Sequence, residues 1–194
     1  MAVKRKRSIR YIITVFFATF GIAVLLGSTS EAVLRFFPVG VTWLLLIIVI
    51  LIGILFDIIG IAVTAADEAP HHARAAKKVF GARQSVFLIR RADKVANFAN
   101  DIVGDITGTL SGAMGATIIM RVVLNHPQLS AWQVFLNILC LALIASCTVT
   151  GKAWGKTIAI NEANKIIDLT GKAIAGIENL TKINLTKAGK RGGK

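Results

Sequence analysis

Residues 43–56 read WLLLIIVILIGILF, an unbroken run with no charge and no polar group but the indole of Trp43. Followed outward, the apolar stretch extends from about 41 to 66, more than the roughly 20 residues a helix needs to cross a bilayer. Three further stretches are long enough for the same purpose: 11–27, 95–123 and 132–150. The first follows the basic cluster Lys4, Arg5, Lys6, Arg7 and Arg10, and the 95–123 stretch is more polar and rich in Gly and Ala. The expected fold class is therefore all-α, a polytopic transmembrane helical bundle of four spans.

Composition agrees. The chain has 194 residues, 55% of them hydrophobic, and a mean hydropathy of +0.68, against about 45–50% apolar residues in soluble domains. The net charge of +13 lies between the apolar stretches rather than on one face. With no nucleic-acid motif and a single Tyr, it does not describe a nucleic-acid binder. Cys140 and Cys147 are seven residues apart in one apolar stretch. On a helix that is about 10 Å along the axis, too far for a disulfide, so both read as small buried hydrophobes. His71 and His72 are adjacent, point in different directions on a helix and read as interfacial residues. There is no nucleophile–base constellation, P-loop or HExxH, so neither an enzyme nor an organic cofactor is expected.

Charge sets orientation. The connectors after the first and third stretches carry Arg35 and Arg121, whereas the one after the second carries Arg74, Lys77, Lys78, Arg83, Arg90, Arg91 and Lys94. By the positive-inside rule the 67–95 connector and both basic termini are cytoplasmic, in a multi-pass protein of the cell membrane. An even number of spans requires the same. The first stretch also has the layout of a signal peptide, with small residues around 28–32. Its apolar core is long for a signal, and a retained span is expected. Residues 82–96 mix Val86, Phe87, Leu88 and Ile89 with basic residues, as an interfacial helix at headgroup level does. Past Lys156, the residues Ile160, Ala163, Ile167, Ile174 and Ile177 recur at helical steps and predict an amphipathic helix. The final KAGKRGGK is a basic end suited to anionic lipid. The organisation expected is 1–40 as a basic terminus with an extra span, 41–159 as a three-span module, and 160–194 as a cytoplasmic helix and tail.

Chemistry concentrates in the third stretch. Gly104, Gly108 and Gly112 repeat every four residues, the stripe that lets helices approach closely within a bundle or across a homodimer. Asp101 and Asp105 share a face, and Asp57 lies in the second stretch. An acid inside a membrane costs about 2.5–3.5 kcal/mol on insertion scales, so it faces a cavity or a partner. Asp105, Thr109 one turn on, and Thr64 offer the oxygens a hard cation prefers. An ion pair or a hydrogen bond across helices accounts for the acids equally well.

IAVTAADEA at 61–69, GARQSVFLIRRADKVANFANDIVGD at 81–105 and TGKAWGKTIA at 150–159 together resemble the transmembrane domain of the cyclin-M/CorC magnesium and cobalt transporters. The resemblance covers roughly 45–175 and rests on the order and spacing of its elements. It implies a dimeric membrane module that binds a divalent cation, magnesium, among its helices. It places Thr64 at the family's Ser and Asp67 near its acidic residue. Asp105 and Thr109 fall at its two Asn positions, and Gly151 at the Gly of its Gly-Glu-x-x-Pro-Lys sequence, which Lys156 ends. Thr64, Asp105, Thr109 and Gly151 are thus the implied metal site. Lys152 stands for the family's Glu, Gly155 for its Pro, and the CBS and CorC-type cytoplasmic domains are missing. Lys152, with Asp101 nearby, is a modifier of that site, or Lys152 pairs with Asp105 and substitutes for the ion. Two functions follow as expectations: a divalent-cation binder or transporter, and a non-transporting scaffold or regulatory partner of a separate cytoplasmic or membrane protein.

Overall fold

The structure is a computed structural model, and it describes residues 13, 14, 16, 17, 19–25, 27, 28 and 36–182. Among these there is helix and no strand. The basic cluster at 4–10, Arg35 and the terminal KAGKRGGK lie outside the described residues, as does part of the first apolar stretch. The residues of that stretch that are described are helical.

After Pro38, whose carbonyl accepts the Val41 and Thr42 N–H groups, α1 runs over Val39–Ala65. Short helices α2 (Glu68–Ala76), α3 (Ala82–Ile89) and α4 (Ala92–Ala96) follow. A π-helical segment, Asn97–Val103, leads into α5 (Gly104–Asn125). A 3₁₀ turn over Pro127–Trp132 opens α6 (Gln133–Asn161), and α7 covers Ala163–Thr181. Three helical stretches are long and apolar enough to cross a membrane: Val39–Ala65, Ala92–Asn125 and Pro127–Asn161. They coincide with the second, third and fourth apolar stretches of the sequence.

The chain divides into two compact units. The first comprises Met1–Gly53 and Asp105–Val149. Its core is Leu46, Met114, Ile118, Cys140 and Ile144. Small residues let its helices meet: a Cβ on Gly53 would strike the Thr107 side chain, and one on Gly115 would strike Ile144. Its outer surface is large and apolar, with Leu44, Ile47, Leu51, Phe135, Ile138 and Leu143 exposed, as suits contact with lipid.

The second unit comprises Ile54–Gly104 and Thr150–Lys194, with Ala62, Val63, Leu88, Ala159, Ala163 and Ile167 at its core. Here α3 crosses α7 at close range. Gly81 holds φ +81°, a left-handed turn suited to glycine, and Gly171 sits so near that a Cβ would meet the Gly81 carbonyl and the Ser85 backbone. Ser85, fully buried, donates to the Ile167 carbonyl at 3.0 Å and locks the crossing.

Three local expectations change. The 82–96 connector is two helices rather than one, broken at Arg90 and Arg91. Arg90 Nε reaches Glu68 at 2.9 Å, and the Arg91 guanidinium lies 4.3 Å from the Phe87 ring centroid. The inward face of α7 is Ala163, Ile167, Asp168, Gly171, Ala175 and Glu178, while Ile160 and Ile177 are exposed. Ala163 and Ile167 of the predicted face stay inward, Ile174 packs on the same core, and the close crossing adds the small residues Gly171 and Ala175. His71, expected at the interface, is instead buried.

Candidate functional site

Two charged residues within the apolar helices of the second unit come together at one place. Lys152 Nζ stands 3.6 Å from Asp57 Oδ1, with the two side chains 29% and 15% exposed. Asp57, Gly60 and Thr64 fall on one face of α1 at steps of three and four. Gly104 makes room for the ammonium, since a Cβ there would lie 3.3 Å from Lys152 Nζ. Two glycines bring α6 against α1: Cβ atoms on Gly151 and Gly155 would run into Ile54 and Ile58. Gly104, predicted for helix approach, and Gly151, predicted for the metal site, thus serve with Gly155 to seat a lysine beside a carboxylate.

One turn from Gly104, in the π segment, Asn100 packs on Gly60 so tightly that no other residue fits at 60 without displacing the amide. Its Oδ1 is buried and accepts no hydrogen bond among the described residues. A π turn carries one residue more than an α turn, which re-aims the side chains that follow and is frequent at functional sites. Asp57 and Asn100 therefore provide a carboxylate and an amide oxygen of the kind a hard cation takes. Lys152 supplies the positive charge itself.

The remaining predicted residues are placed as follows. Thr64 is exposed and donates to the Ile61 carbonyl of its own helix at 2.8 Å. Asp101 accepts a hydrogen bond from Asn97 Nδ2 one turn back and is exposed. Asp67 caps α2 from an extended conformation, its N–H donating to Asn164 Oδ1 at 2.9 Å.

Asp105 and Thr109 belong to the first unit. There they line a pocket of about 230 Å³ with Ala113 on one side and Thr19, Ala23 and Gly27 on the other. Thr19, Ala23 and Gly27 step by four residues, as do Asp105, Thr109 and Ala113, and Ile106 and Leu110 complete a mostly apolar lining. Thr109 donates to the Asp105 carbonyl at 2.9 Å, leaving its oxygen free to accept. Gly108 and Gly112 face open space: a methyl group added at either would meet nothing within 4 Å. Cys140 is buried beside Gly115 and Cys147 is exposed.

Asp57 was legible as an intramembrane acid, and Lys152 as a departure from the resembled motif. Their pairing was not, because 95 positions separate them in the chain. Asn100 was missed: in VANFANDIVGD (95–105) it stands between Asn97 and Asp101, and nothing local sets it apart from them. In comparisons with known proteins, no family model, no curated protein and no solved structure matches the chain. The resemblance to the cyclin-M/CorC membrane domain accordingly rests on the segments quoted above.

Proposed function

We propose that the chain is a multi-span membrane protein of the cyclin-M/CorC kind in which the Lys152 ammonium holds the place of a divalent cation. On this reading it works as a non-transporting scaffold or regulatory partner of another membrane component. The observation that supports it is the Asp57–Lys152 pair at 3.6 Å, seated against Gly104. A tethered ammonium neutralises the carboxylate without dissociating. A second unit charge 4 Å from it would be repelled by about 4 kcal/mol per charge at an effective dielectric of 20. Four spans with cytoplasmic termini belong to the same proposal, supported by the basic 67–95 connector. Pairing of two copies is supported by the open stripe at Gly108 and Gly112.

The test is magnesium binding and flux. Purified unmodified protein should show no magnesium-dependent thermal shift and no magnesium flux in liposomes, whereas Lys152→Glu should gain a shift of several degrees. Flux through the unmodified protein would overturn the proposal and favour the second reading, a divalent-cation binder or transporter. That second reading draws support from Asp105 and Thr109, whose oxygens border the pocket shared with Thr19. Under it, Asp105→Ala would abolish the response by removing the side-chain oxygen, while Lys152→Met would leave it intact.

A further inference from the structure

The second unit holds a buried group that the Asp57–Lys152 pair does not use. His71 is 1% exposed, and neither Nδ1 nor Nε2 has a hydrogen-bond partner among the described residues. Buried polar atoms are ordinarily satisfied, so an imidazole with both nitrogens orphaned is unfinished chemistry. His71 lines a groove of about 340 Å³ between α2 and α7, together with Arg74, Asn164, Lys165 and Asp168.

The charges around this groove are unevenly placed. Asp168 Oδ1 lies 3.0 Å from Arg74 Nη2, and Oδ2 lies 2.9 Å from Lys172 Nζ. Two cations thus share one carboxylate. Lys165 is paired with Glu162 at 2.6 Å, in a surface contact that water and other anions compete for. Asp67, the other nearby acid, is exposed and bonded to Asn164 through its N–H and its carboxylate. Arg74 and Lys172 thus outnumber the one carboxylate they share, while Glu162 and Asp67 are the acids opposite Lys165 and Asn164; the planar Arg74 guanidinium has the geometry suited to two oxygens of one phosphate.

We propose that this groove binds a phosphate-bearing anion, with Arg74 and Lys165 as its cationic wall and His71 as its hydrogen-bonding floor. Neutral imidazole has one donor and one acceptor nitrogen. The two nitrogens point in divergent directions, so one phosphate meets one of them, an oxygen accepting from the ring N–H or a phosphate hydroxyl donating to the bare nitrogen. The groove is separate from the Lys152 site, and its occupancy does not depend on magnesium.

His71, His72 and His126 are the chain's three histidines, so ring-labelled NMR of the detergent-solubilised protein reads the site directly, with His72→Gln and His126→Gln for assignment. Titration with inorganic phosphate, and separately with dioctanoyl phosphatidic acid, should move the His71 ring signals saturably and leave those of His126 in place. Saturation by inorganic phosphate assigns a free anion as the ligand. Saturation by phosphatidic acid alone assigns a lipid headgroup. Arg74→Gln also removes a partner from Asp168, so the deciding variant is Lys165→Gln, which leaves both Asp168 pairs intact. It should weaken binding ~10-fold, the loss of one charge-assisted hydrogen bond. No response of His71 to either ligand, or an unchanged midpoint in Lys165→Gln, overturns the proposal.

Discussion

The two units bury polar groups in different ways. In the first, the buried polar side chains among the described residues are Thr42 and Ser111, and each hydroxyl donates to a carbonyl four residues back in its own neighbourhood of the chain. In the second they are His71, Ser85, Asp168 and Glu178. Three of these reach a different element: Ser85 meets the Ile167 carbonyl, Asp168 meets Arg74, and Glu178 takes a hydrogen bond from Gln84 at 2.6 Å. A hydroxyl bonded to its own helix asks nothing of its neighbours, which suits a helix facing lipid. Polar bonds between helices fix their register, which suits a unit built to hold charges in place.

The contrast can be tested first in the cores. Ile167 and Ile118 are both fully buried. If α7 packs from water, Ile167→Ala should cost about 4 kcal/mol, transfer and cavity terms together. Ile118→Ala should cost about half as much, because lipid is as apolar as the core it leaves. Equal losses in detergent unfolding would erase the distinction between the units.

Next comes the charge pair. Lys152→Met should destabilise by about 3 kcal/mol by leaving Asp57 unpaired in a largely apolar setting. The double variant Asp57→Asn with Lys152→Met should regain most of it. A double-mutant cycle with no coupling would show that the ion pair is incidental.

Glycines separate the units by a smaller margin. Gly171→Ala forces a methyl onto the Gly81 and Ser85 backbone, for a loss of about 2 kcal/mol. Gly108→Ala meets nothing and should raise helix stability by up to about 1 kcal/mol in the monomer. A loss at Gly108 that grows with protein concentration would instead locate a contact between copies there.

The smallest expected effect is electrostatic. Hydrogen bonds from Arg90 and His72 hold the Glu68 carboxyl below its ordinary value of 4.5. A depressed acid contributes stability above its unfolded pKa and loses it as pH falls through the folded one. The α2–α3 region should therefore loosen slightly on acidification below about 4.5, and Glu68→Gln should flatten that limb of the unfolding profile. An unchanged acid limb would show that Arg90 adds nothing at this exposed site.

Much of this architecture was legible because its cause is local. The runs 41–66, 95–123 and 132–150 are apolar over a length that only a helix can carry through hydrocarbon, and the helices found cover them to within one residue. The intramembrane acids and the glycine stripe were visible for the same reason, since each residue type is costly or unusual where it stands. The break at Arg90–Arg91 was not visible, because residues 82–96 contain no Gly or Pro and the turn follows from contacts to Glu68 and Phe87.

By itself the sequence determined that this is an all-helical chain with several membrane-length helices, and which charges would be expensive inside them. Only the tertiary structure decided which of those charges meet. Lys152 faces Asp57 because Gly151 and Gly155 bring α6 onto α1 and Gly104 leaves space for the ammonium. The π turn at 97–103 exists where Asn100 closes on Gly60, and the inward face of α7 is set by its crossing at Gly171. Periodicity records which residues share a face; distance between faces is a property of the packing, and it is distance that turns a lysine and an aspartate into a site.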